Sequence, residues 1–208
     1  MTKKFVMTEM PRNIVTVDPD MGFGVSKNNK ELAAAVLRNG TLLETTQLGN
    51  QLYKHGNRFI MVDPHRVTVL YYMKWKEEYY NLLGTTVVKE MIQWRDRGVF
   101  ESRNLTSHVF FDLLLPIHGA VMTDHRHTAD GQRFWLRTID EAFDRNLNVY
   151  MVNFFESTGG VKNHIELLSD KLALHNLLIR SPDAPWGDSK NYEARRIVIS
   201  NKVIGNEH

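Results

Sequence analysis

The sequence predicts a mixed α/β layer protein, one central mixed sheet with helices on both faces. Three observations carry that expectation. Runs rich in β-branched and aromatic residues alternate along the chain with runs whose apolar residues recur at helical spacing. The 208 residues, 42% apolar and 24% charged, suffice for an ordinary core without disulfide staples. No repeat, low-complexity tract or Pro/Gly/Ser-rich linker divides the chain, so a single domain over 1–208 is expected.

Residues 1–26 read as an irregular N-terminal arm, punctuated by Pro11, Pro19, Gly22 and Gly24. "KELAAAVLRNG" reads as a short helix ended by Gly40, a residue that accepts the left-handed cap. "TQLGNQLYKHGN", with Leu48 and Leu52 four apart and Gly56 as a stop, suggests a second helix. "RFIMVD" and "VTVLYYMKW" flank the turn "DPHR" and form a hairpin. "TTVVKEMIQWRDR" fits two patterns: Thr86, Val88, Glu90, Ile92 and Trp94 alternate, while Val87, Val88, Met91 and Ile92 match a helix. Its β-branched start and the loop-like "GVFESRN" after it favour a strand.

In "LTSHVFFDLLLPIHG", Val109, Phe110, Leu113, Leu114 and Ile117 form one wide helical face that Gly119 closes. "AVMTD" is a short strand. A helix then runs from an N-cap at Thr128, with Asp130 in its first turn, to about Asn146. It buries Phe134, Trp135, Thr138, Ile139, Ala142 and Phe143. "LNVYMVNFF" is a strand. "VKNHIELLSDKLALHNLLIR" reads as helical and "SPDAPWGDSKN" as a loop, so residues 156–194 form an inserted helix and loop before a last strand, "RRIVISNKVI".

Charge and composition exclude several function classes. Lys+Arg 26 against Asp+Glu 24 is too balanced to imply nucleic acid by electrostatics. "YYMKWKEEYY" interleaves aromatics with lysines, a pattern able to stack bases, but at this net charge it reads as a sheet edge. With no cysteine there are no disulfides, thiolate metal sites or cysteine nucleophiles. No apolar run reaches the roughly 18 residues of a membrane span, and "MTKKFVMTEMPRN" is too polar for a signal peptide. The expected setting is a cytoplasm or an assembly built there.

The densest polar cluster is Asp124, His125 and His127, directly ahead of the Thr128 helix. Two histidines and a carboxylate are a metal-ligand set, and would support a metal hydrolase. Alternate residues share a face only in extended chain, however, and no helical H-x-x-x-H pair adds ligands. A polar strand-to-helix hinge is the favoured reading, with no metal and with substrate contact as the remaining alternative.

The order of elements, with "VFFDLLLPIHGAVMTDHRHTADGQRFWLRTIDEAFDRNLNVYMVNF" at its centre, resembles the GNAT superfamily of N-acyltransferases. It looks most like the divergent GNAT-like proteins of bacteriophages. The echo is a helix ending in Gly119, a strand ending in Thr-Asp, then "T..G..FW" opening the next helix, over residues 30–155 plus the final strand. The resemblance implies a GNAT-like fold, acetyl-CoA as cofactor and an amine-bearing substrate. It places the family's pyrophosphate loop at "ESRNLTSHVFF", with Arg103 as positive charge and Asn104, Leu105, Thr106 and Ser107 around the phosphates. Asn104 and Thr106 stand where the family has glycine and a small residue, and their side chains would crowd a phosphate. By the same resemblance Glu90 is the base, Asp124 lies beside the acyl site, and Tyr150 replaces the family's tyrosine acid. Two functions follow: acetyl transfer to an amine, or a catalytically degenerate structural or interaction protein of a virion or of host takeover. Partners would be an amine substrate, other phage proteins or a second copy of the chain.

Overall fold

The computed structural model describes residues 26–96, 98–123, 129–154, 164–181 and 195–204; for 26–27, 90–92, 102–104 and 129–131 it describes the backbone alone. The described residues form a mixed α+β protein whose strands are mostly antiparallel. They group into two compact units. Strands β4 (Thr68–Tyr80) and β5 (Thr85–Arg95) each contribute a part to both.

The first unit holds α1 (Ser26–Asn39), β1 (Thr41–Thr45), β2 (Gln51–Lys54), β3 (Arg58–Asp63), residues 68–75 of β4, residues 91–95 of β5 and α2 (Ser102–His108). Its strands lie in the order β1-β2-β3-β4-β5. Alternation along each strand makes two layers. On one face Tyr53, Ile60, Val62, Val69 and Tyr72 pack against Ala33 and Val36 of α1. Side chains of this size, withdrawn from water, contribute roughly 1.5–3 kcal/mol each. The intervening Leu52, Phe59, Met61, Tyr71 and Met73 are equally buried and belong to the opposite face.

Gly40 ends α1 as expected, for a different reason. Its φ is not positive; instead a β-carbon would sit 2.7 Å from the Val36 carbonyl oxygen and 3.0 Å from the Tyr53 ring. Close packing, not left-handed backbone, selects glycine there.

The predicted second helix is a correction. Thr41–Thr45 and Gln51–Lys54 are antiparallel strands, and the residues between them form a turn. Thr46 N–H donates to the Asn50 carbonyl at 2.8 Å, and Gly49, at φ +84°, closes the turn. Leu48 is exposed, so the Leu48–Leu52 spacing that imitated a helix buries only one of the pair. β1 carries a bulge between Leu42 and Glu44. The hairpin of β3 and β4 is as expected, its turn fixed by Asp63 Oδ1, which accepts the N–H groups of His65 and Arg66. β4 pairs with β3 from Thr68 to Lys74, so the first half of "YYMKWKEEYY" lies inside the sheet, while residues 76–80 have no described β3 partner and keep the expected edge character.

The second unit holds residues 76–80 of β4, 85–90 of β5, α3 (Leu115–His118), β6 (Ala120–Met122), α4 (Ala129–Asp144), β7 (Asn148–Asn153), β8 (His164–Leu168), α5 (Lys171–Arg180) and β9 (Arg195–Ser200). Its strands run β4-β5-β6-β9-β7-β8. Between α2 and α3 the helix widens into a π-helical stretch, Val109–Leu114. Gly119 takes the left-handed cap of α3 at φ +79°, with its N–H on the Leu115 carbonyl at 2.7 Å.

β6 and β9 pair antiparallel, and Thr123 extends that ladder by hydrogen-bonding Ile197 through both its backbone N–H and its hydroxyl. Trp135 of α4 meets Phe110 edge-on at 5.9 Å, and Ile139 and Ala142 complete the buried stripe. The "VKNHIELL" part of the expected inserted helix is corrected: His164–Leu168 is an edge strand paired with β7, and the helix begins only at Lys171. Asp170 caps it, accepting the Ala173 N–H at 2.8 Å.

Candidate functional site

α2 is the element that the resemblance assigns to the cofactor. The sequence suggested a helix starting at Leu105; the backbone is helical from Ser102. The difference matters because only the first four N–H groups of a helix lack an internal acceptor. With Ser102 as the first helical residue, the amides of Leu105, Thr106 and Ser107 fall inside the hydrogen-bonded ladder and are directed at carbonyls of the preceding turn.

Glu101 stands at the N-cap, in helical conformation and without a side-chain cap bond. Its carboxylate takes a hydrogen bond from the Asn50 side-chain amide, placing negative charge where the helix dipole is positive. Leu105 is buried. The Thr106 hydroxyl accepts from the buried Gln93 amide of β5. At the other end of α2, His108 meets Glu44 of β1 at 2.8 Å. The side chains of Arg103 and Asn104 lie outside the described residues, as does that of Glu90; the backbone places the first two on α2 and Glu90 on β5.

β5 is extended along its whole length, as the strand reading required. It runs parallel to β6, and among the described residues Val88 stands opposite Val121. In the same unit β7 and β9 pair from Asn148 to Asn153.

No protein-family model, curated protein or solved structure matches this chain.

Tyr150 lies on β7 in the second unit, opposite Val198 of β9 and Leu167 of β8. It is buried in an apolar cluster with Leu83, Val87, Ala120, Met122 and Val152, and its hydroxyl accepts the Ile204 N–H at 3.2 Å. This geometry gives it a part in holding the chain end after β9. Asp124, His125 and His127 lie outside the described residues, between the end of β6 and the start of α4. Among the described residues no group of three His, Asp or Glu is placed to hold a metal ion. No described helix is long and apolar enough to cross a membrane.

Sequence reasoning missed Asn50, Gln93, Glu101 and Tyr71. Glu101 carried a signal, since an acidic residue one or two positions before a helical run marks a helix start. Asn50 and Gln93 carried none, because their partners are separated from them by 51 and 13 residues.

Proposed function

We propose that this chain has a GNAT-like fold that has given up acetyl transfer and serves as a structural or interaction protein, as in the divergent bacteriophage proteins it resembles. Its place would be the host cytoplasm or the virion, and its partners other phage proteins. The observation carrying this reading is the start of α2 at Ser102, which commits the amides of Leu105, Thr106 and Ser107 to the helix. A Glu101 carboxylate at the positive end of that helix adds repulsion where a pyrophosphate would need attraction.

Descent from acyltransferases is supported by β5, which is extended and runs parallel to β6, with Val88 opposite Val121 among the described residues. The same parallel neighbours favour the second reading, acetyl-CoA-dependent acylation of an amine. In that reading Glu90 is the base, Tyr150 the acid and Arg103 the phosphate ligand. Fold by itself does not establish activity.

Isothermal titration of acetyl-CoA into the full chain decides between them. No heat at millimolar acetyl-CoA is the expected result. Micromolar binding that disappears in Arg103→Ala would overturn the structural reading.

A further inference from the structure

β4 outruns its neighbour. It is 13 residues long against six in β3, and their ladder ends where Arg58 stands opposite Lys74. The Trp75 N–H then donates to the Asn57 carbonyl at 3.3 Å, and beyond it no described strand pairs with residues 76–80 on that side. Those five residues are still strand, with β5 as their neighbour on the other side. Alternate N–H and C=O groups of such a strand point away from its one partner, and an edge of this kind invites a further strand. The segment holds no proline or glycine to blunt it. Lys76, Glu77, Glu78 and Tyr79 are exposed, and the Tyr79 ring is 60% open to water.

We infer that residues 2–5 of this chain, Thr-Lys-Lys-Phe, add an outer strand along residues 76–80. They lie outside the described residues, and the inference rests on the edge and on charge. Side chains alternate between the two faces of a strand, so Glu77 and Glu78 present one carboxylate to each face. Lys3 and Lys4 in a strand would present one ammonium to each face. Opposite charges directly across a strand pair stabilise it, and here both faces match whichever way the added strand runs. Glu77 already meets His118 Nδ1 at 3.2 Å and Glu78 meets Lys89, but a carboxylate has acceptor capacity for a second cation. A second copy of the same edge is a poorer occupant, because two-fold antiparallel pairing about the middle residue sets Glu78 against Glu78. Residues 6–25 reach about 65 Å when extended, so chain length does not limit the placement. The inference does not depend on the acyltransferase resemblance, and a negative acetyl-CoA titration leaves it standing.

Two measurements test it. Carbodiimide joins an amine to a carboxylate only where the two are in contact. In the full chain it should link Lys3 or Lys4 to Glu77 or Glu78 within one molecule, read as a joined peptide by mass spectrometry of the monomer. Hydrogen exchange at residues 76–80 should run about tenfold faster in a variant lacking residues 2–5, with the amides of Arg58–Asp63 unchanged. Lys3→Glu with Lys4→Glu in the intact chain should give the same local acceleration, which keeps the test open if the shortened chain folds poorly. The inference is overturned if no such link forms, or if the link forms only between two molecules, which would make the occupant a second copy. Unchanged exchange in both variants overturns it too. So does an equal acceleration in β3, because the loss would then be one of global stability.

Discussion

Asn29 and Val69 are joined by two hydrogen bonds across forty residues of chain. The Asn29 side-chain amide donates to the Val69 carbonyl at 3.2 Å, and the Val69 N–H donates to Asn29 Oδ1 at 2.7 Å. Asn29 is buried, and the pairing makes one side chain of α1 act as a peptide group of a neighbouring strand. The residue after Val69, Leu70, takes on its carbonyl the N–H of Asp96, one residue past β5. Asn29→Leu would leave both Val69 groups unpaired in an apolar setting. The expected loss is ~2–4 kcal/mol of unfolding free energy, measured by urea titration. A loss below ~0.5 kcal/mol would show that the amide pairing contributes nothing.

Tyr71 and Lys89 both contribute to a loss of stability at alkaline pH. Burial pushes the Tyr71 phenol well above its ordinary value of 10.0. Above that pH the unfolded chain ionises while the folded chain holds its proton, so stability falls as pH rises. At Lys89 burial works against the charge, but Glu78 and Tyr80 outweigh it and leave the pKa above 10.5. Stability from that contact is complete below 10.5 and is lost as pH climbs through the folded value. Tm is expected to decline between pH 10 and 11. Tyr71→Phe should flatten the decline and Lys89→Met should lower Tm at pH 8 while also flattening it. Parallel curves for all three proteins would refute the assignment.

Gly119 is needed for its backbone. At φ +79° a side chain is strained, and an added β-carbon would also meet the Lys202 side chain at 3.1 Å. The lysine tail is flexible and gives way; the backbone does not. Gly119→Ala is expected to cost ~1–2 kcal/mol, read from the urea midpoint at constant m. An unchanged midpoint would mean that the cap relaxes into another conformation without cost.

Asn146 closes α4 in the same left-handed region, at φ +56°, with Leu147 N–H on the Ala142 carbonyl at 2.9 Å. Asparagine tolerates this conformation better than other side chains, and glycine better still. Asn146→Ala should therefore lose ~1 kcal/mol while Asn146→Gly loses nothing or gains a few tenths. If both substitutions cost the same, the side chain and not the backbone is what matters there.

The long periodic elements were legible in the sequence. The Ala33–Val36 face, the Trp135–Ile139–Ala142 stripe and the β-branched runs of β3, β7 and β9 were read directly, while β5 fitted both periods and was decided by its β-branched start. The misreadings fell on short elements. The expected second helix covered β2, whose four residues are too few to display alternation, and β8 has few buried residues and so lacks the alternation of a half-buried strand. In β8, Ile165 and Leu168 stand three apart and imitated a helical turn, although the Ser169-Asp170 pair already marked the true helix start. At α2 the start was placed three residues late because its first turn, "SRN", is polar and carries no periodicity. The hydrogen bonds that define the site, Asn50 with Glu101 and Gln93 with Thr106, depend on tertiary approach that no local pattern encodes.

The irregularity between Leu42 and Glu44 bears on how this molecule behaves in a crowded solution. β1 is an outer strand with two leucines open to water, the kind of margin on which a second chain could zip itself into a growing fibre. A misplaced residue breaks the even spacing of amide donors and acceptors such a zipper would need, and the acid beside it is engaged by His108. The bulge thus acts as a guard against self-templating, and the leucines can stay outside without making the protein sticky.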